Sequence, residues 1–131
     1  MDYIEKDNLE ITRQTKGLIP IVPFSMIKNE ILGKKYDLSL AFTTMKDMRS
    51  LSKKHKGNYN HLNTLAFPFD ENSGEIAMNL QTIRSQAKDH DKKYLEFLIF
   101  LFIHSSLHLK GYKHGSEMEK LEEKYFKKFN K

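Results

Sequence analysis

The chain contains no cysteine. Disulfides and thiolate metal sites are therefore excluded, and a reducing compartment such as the cytoplasm suits it. The opening "MDYIEKDNLE" has no basic region followed by an apolar one, so it does not read as a secretory signal. Long hydrophobic runs are lacking too. The strongest, "YLEFLIFLFIHSSLHL" at residues 94–109, is interrupted by a glutamate and two histidines and falls short of the ~20 residues a membrane span needs. It is expected to be a buried core helix, and no membrane partner is expected. Proline occurs three times, as Pro20, Pro23 and Pro68. No internal repeat, low-complexity tract or linker is visible, so residues 1–131 are expected to form one domain.

What is present supports a packed core. Hydrophobic residues make up 39% and nine phenylalanines are among them, which argues against disorder. Twenty-two Lys and Arg against seventeen Asp and Glu give a formal charge of +5, a modest bias toward polyanions. Between residues 44 and 61 the bias concentrates. Lys46, Arg49, Lys53, Lys54 and Lys56 face a single acid, Asp47. A solvated helix face explains such a strip, and so does a surface for nucleic acid.

The periodicities predict an α+β fold of about four strands in a mixed sheet, with helices mainly on one face. The first dozen residues suggest a strand or hairpin. "PFSMIKNEILGKK" is helical, with Pro23 in its first turn and Gly33 near its end. "YDLSLAFTT" and "GEIAMNL" alternate at period two and read as strands. "TMKDMRSLSKKHK" is helical, with Thr43 or Thr44 as cap. Any strand near "LAFPF" either ends at Pro68 or lies on a sheet edge, because proline removes a ladder donor. From Gln81 onward the chain is helical, with breaks near residues 89–91 and at Gly111. The last helix is expected to bury Met118, Leu121, Tyr125 and Phe129. The apolar segment that ends in the histidines is the spine.

Three of the six histidines fall within "HSSLHLKGYKH", at His104, His108 and His114. His104 and His108 are i and i+4 on one helix face. Gly111 can end that helix in a left-handed conformation and let His114 return to the same point. Three neutral imidazoles leave the fourth position of a Zn²⁺ ion open, as in catalytic rather than structural zinc sites. The spacing is that of the metzincin peptidase signature H-E-x-x-H-x-x-G-x-x-H, but Ser105 stands where the peptidase has its glutamate base. Glu117 and Glu119 fit the first turn of the last helix instead. Peptidase chemistry is therefore not expected.

The same stretch resembles the H-G-x-L-H-L-x-G-Y-D-H signature of the YbeY family, bacterial rRNA maturation factors also called metal-dependent endoribonucleases. "NTLAFPF" at 63–69 is similar to that family's N-V-L-S-F-P-F, and "GEIAMNL" at 74–80 to its G-D-I-x-I. The resemblance implies one zinc ion per chain on His104, His108 and His114. It also implies a catalytic role for Lys56, which stands where the family carries a functional basic residue, usually arginine. Ser105 replaces the family's glycine and Lys113 its aspartate. By the same resemblance Lys46, Arg49, Lys53, Lys54 and Phe67 would bind RNA beside the metal, with core packing the other reading of Phe67. The implied function is a cytoplasmic, zinc-dependent, single-strand-specific endoribonuclease. It would act in 16S rRNA 3′-end maturation and ribosome quality control, with the small ribosomal subunit and its assembly factors as partners. The alternative is a non-catalytic ribosome-assembly factor whose metal is structural.

Overall fold

Asp7 and Asn8 belong to the few residue types that enter left-handed backbone readily, and they sit at φ 53° and 62°. This turn folds β1 (Tyr3–Lys6) back onto β2 (Leu9–Arg13) as an antiparallel hairpin. The first dozen residues thus supply two strands, and the computed structural model, which describes residues 3–54 and 62–130, has five strands rather than four. The remaining elements follow in order: α1 (Phe24–Ile31), β3 (Asp37–Phe42), α2 (Met45–Lys54), β4 (Thr64–Asp70), β5 (Ser73–Met78), α3 (Leu80–Gln86), a short 3-10 turn (Ala87–His90), α4 (Tyr94–Lys110) and α5 (Ser116–Phe129). The class is the expected α+β.

The sheet order is β1-β2-β3-β5-β4. β2/β3 and β3/β5 are parallel, whereas β1/β2 and β4/β5 are antiparallel. Parallel neighbours need a crossover, and α1 supplies it between β2 and β3. β4 is an edge strand, which is why Pro68 is tolerated within it; the register shifts between Pro68 and Asp70.

α4 is the spine. Ten of its seventeen residues are buried, from Phe97 to Leu109. It packs under Leu38, Leu40 and Phe42 of β3 and Ile76 and Met78 of β5. Phe24 sets its ring edge-on to Phe102 with centroids 5.0 Å apart. The alternation of β5 turns Ala77 to the other face, where Met48 of α2 and Leu62 form a second, smaller cluster. Helices therefore lie mainly on one face, with α2 on the other. Thr44 caps α2 by accepting from the Asp47 N–H at 3.2 Å. Lys28 of α1 is fully buried and donates to the carbonyls of Asp7 (2.6 Å) and Lys34 (2.9 Å), tying the helix to the hairpin turn.

Candidate metal centre

α4 carries His104 and His108 one turn apart. Its end follows from Gly111, which takes φ 114°, a conformation other residues adopt only with strain. The Gly111 N–H then donates to the His108 carbonyl (3.0 Å) and the Tyr112 N–H to that of Leu107 (3.1 Å), closing the last turn. The reversed chain brings the His114 ring within 5.2 Å of His104 and 4.6 Å of His108, centroid to centroid. One ligand atom from each of the three lies within 4.8 Å of the others. These three histidines can hold a metal ion.

Hydrogen bonds on the far side of the rings show why they suit one. His104 Nδ1 lies 2.5 Å from Glu122 Oε2, and His108 Nδ1 lies 3.0 Å from the Tyr112 carbonyl oxygen. A carboxylate and a carbonyl only accept, so each Nδ1 carries the proton and donates it. The two Nε2 atoms are then left as bare lone pairs, and they face one another at 3.1 Å. Neutral imidazoles so placed repel unless a cation sits between them. Two nitrogens ~2.0–2.1 Å from one tetrahedral ion stand at a closely similar separation. Burial pushes the His108 imidazole below its usual range, the neighbouring His104 and His114 adding to the effect, which keeps it neutral and able to ligate.

The exposed side of the cluster opens on a groove of about 310 Å³. Its other wall is Asn63 and the start of the edge strand, Thr64, Leu65 and Ala66. Ser105 is buried, and its hydroxyl meets Thr64 Oγ1 at 2.9 Å, pinning α4 to β4. Among the described residues no carboxylate lines the groove. Glu122 contacts the opposite edge of the His104 ring, so it orients the imidazole and is not placed to take a proton from a group in the groove. Among the described residues no group stands in the groove where a peptidase would place its base.

Lys56 lies outside the described residues. Lys46, Arg49, Lys53 and Lys54 are exposed on α2 and do not line the histidine groove, because α2 packs against the opposite face of the sheet from α4. Phe67 is buried, with only 9% of its surface exposed, while Phe69 two residues on is 63% exposed. Glu122 was not singled out by the sequence. Its signal is its place on the buried stripe of α5, one turn after Met118, where an unpaired carboxylate is costly and a partner is expected. The first turn of α5 does carry Glu117 and Glu119.

Comparison with known proteins agrees with this geometry. The curated "Endoribonuclease YbeY" of Neorickettsia sennetsu is 31% identical over 107 residues, covering 73% of this chain and 75% of the relative. That of Clostridioides difficile is 26% identical over 149 aligned positions, covering 99% of this chain and 97% of the relative. The protein of the same name from Thermodesulfovibrio yellowstonii is 33% identical over 100 residues, 66% of this chain and 63% of its own length. The family described as "Endoribonuclease YbeY" matches residues 3–130, from the first strand through the last helix. This chain belongs to that family.

Proposed function

We propose that the chain is a zinc-dependent endoribonuclease, a single domain over residues 1–131 that cuts single-stranded RNA. Its substrate is the 16S rRNA precursor on the small ribosomal subunit, and its roles are 3′-end maturation and ribosome quality control in the cytoplasm. The observation that carries this reading is the pair of imidazole Nε2 lone pairs turned on each other at 3.1 Å, with a third histidine beside them and both Nδ1 protons committed elsewhere. The names of the relatives supply the RNA.

In this reading His104, His108 and His114 hold the ion, and the groove along β4 receives the strand. A zinc ion with an open position supplies Lewis acidity and a bound water of lowered pKa. Glu122 and the Tyr112 carbonyl keep both helix histidines in the ligating tautomer. Ser105, already engaged with Thr64, has no part in proton transfer. Lys56 steadies the phosphoryl oxygens, as a cation without the bidentate fork of arginine.

Metal analysis of purified protein, paired with cleavage of a single-stranded RNA, tests this directly. Zinc at one ion per chain is expected, with cleavage lost in His114→Ala. Zinc-loaded protein that leaves the RNA intact would return the site to a structural role in a non-catalytic assembly factor.

A further inference from the structure

A second cleft, of about 370 Å³, opens where β2 and β5 end and α4 begins. Arg13, Lys16, Thr44, Asn79, Arg84 and Tyr94 line it, and among the described residues no carboxylate does. The Arg84 guanidinium lies over the Tyr94 ring at 3.9 Å from its centroid, and Arg84 is otherwise exposed. The cation is therefore seated on an aromatic ring and still exposed, an arrangement onto which a nucleobase can stack. Arg13 shapes the rim. Its guanidinium donates to Thr15 Oγ1 (3.0 Å), to the Lys16 carbonyl (2.9 Å) and to the Leu18 carbonyl, which holds the loop bearing Lys16 against the cleft. None of Arg13, Lys16 and Arg84 is in an ion pair among the described residues.

The cleft adjoins the metal groove. Asn79, in its wall, donates its backbone N–H to the carbonyl of Asn63 at 3.0 Å, and Asn63 lines the groove beside the histidines. α4 joins them as well: Tyr94 starts the helix at the cleft and His104 stands ten residues along it, about 15 Å at the rise of an α-helix. A chain of phosphodiesters leaving the histidines along the start of β4 meets positive charge and a stacking surface there.

We infer that this cleft is a second station for the RNA strand, taking a base on Arg84 and the adjoining phosphates beside Lys16, a short distance along the strand from the bond held at the histidines. The inference rests on the reading of the chain as an RNA-cutting enzyme and adds a binding subsite to it. Phosphates and stacked bases are the chemistry that three cations without acids, plus an aromatic-backed guanidinium, recognise.

Steady-state cleavage by zinc-loaded protein, on a strand of about ten nucleotides, well within the reach of a single-strand groove, separates the possibilities. Arg84→Ala is expected to raise KM about ten-fold, the loss of one stacked base, with kcat and zinc content unchanged. Arg84→Lys keeps the charge without the plane and is expected to fall between. Lys16→Ala is expected to lower the salt dependence of binding by roughly one single-strand phosphate contact, a slope change of about 0.7. A strand carrying a photoreactive base is expected to crosslink to Arg84, whose exposed side receives it. If Arg84→Ala leaves KM unchanged while wild type cleaves normally, the inference is overturned and the enzyme reading stands. Unchanged KM on free RNA together with weakened association with small ribosomal subunits would assign the cleft to a protein partner and likewise overturn it. Wild-type protein that holds zinc but cuts no RNA would remove both.

Discussion

At the scale of single residues, the site turns on which ring nitrogen carries the proton. Glu122 decides that for His104. Glu122→Gln still offers an oxygen to Nδ1, whereas Glu122→Ala leaves the ring free to turn or change tautomer. Loss of such a partner commonly costs about 10- to 100-fold in metal affinity, so zinc competition titrations should rank wild type above Gln above Ala. Equal affinities would show that packing alone fixes the ring. His108 gives a pH prediction. Its imidazole is held below its usual value of 6.5, chiefly by burial. Above about pH 6.5 it is neutral in both folded and unfolded chains and contributes no pH dependence. As pH falls below that value the unfolded chain takes the proton first, so stability of zinc-stripped protein should fall. Thermal melts at pH 7.5 and 5.5 should show a smaller drop in His108→Asn. An identical drop would mean the buried imidazole protonates freely in the folded state. The three histidines were legible in the sequence because their convergence needs only a helical turn and one glycine within eleven residues. Glu122 was not, because it reaches His104 only through the packing of α5 on α4, eighteen residues away.

At the scale of elements, periodicity located nearly every helix and strand, since each buries a stripe or an alternate row. What it missed depends on contacts across the fold. The first dozen residues fit a strand or a hairpin, and the left-handed turn at Asp7 and Asn8 decides for the hairpin. The amphipathic pattern of α2 states that one face is buried but not on which side of the sheet. The family resemblance placed Lys46, Arg49, Lys53 and Lys54 beside the metal, whereas α2 packs through Met48 against Ala77 on the other face of the sheet. Lys28 illustrates the same point. It falls within the apolar stripe of α1, yet its ammonium reaches two carbonyls of the turns around the hairpin and β3. Lys28→Met keeps the volume and removes the donor. It should destabilise the fold by roughly 1–3 kcal/mol, read by urea unfolding, because two inward-facing carbonyls lose their partner. A variant as stable as wild type would show that those carbonyls regain water.

At the scale of the whole molecule, the candidate metal centre joins the spine helix to the turn and the helix that follow it, elements that already pack on one another. His104 and His108 belong to the spine, His114 to the exposed turn after it, and Glu122 couples the first of them to α5. An ion bound there only in the folded state links stability to zinc by mass action. Free zinc at a hundred times its dissociation constant contributes about 2.7 kcal/mol, which for a chain of this size raises the melting temperature by roughly 10 °C. Chelator-treated protein should therefore melt that much lower, and stepwise addition of zinc should restore the difference. The exposed position of His114 makes it the useful control, since His114→Ala removes a ligand without opening a cavity in the core. That variant should melt near the chelated wild type and respond far less to zinc. If added zinc leaves the melting temperature of stripped wild-type protein unchanged, the ion has no preference for the folded chain, and the facing Nε2 atoms of His104 and His108 must be reconciled by a shared proton instead.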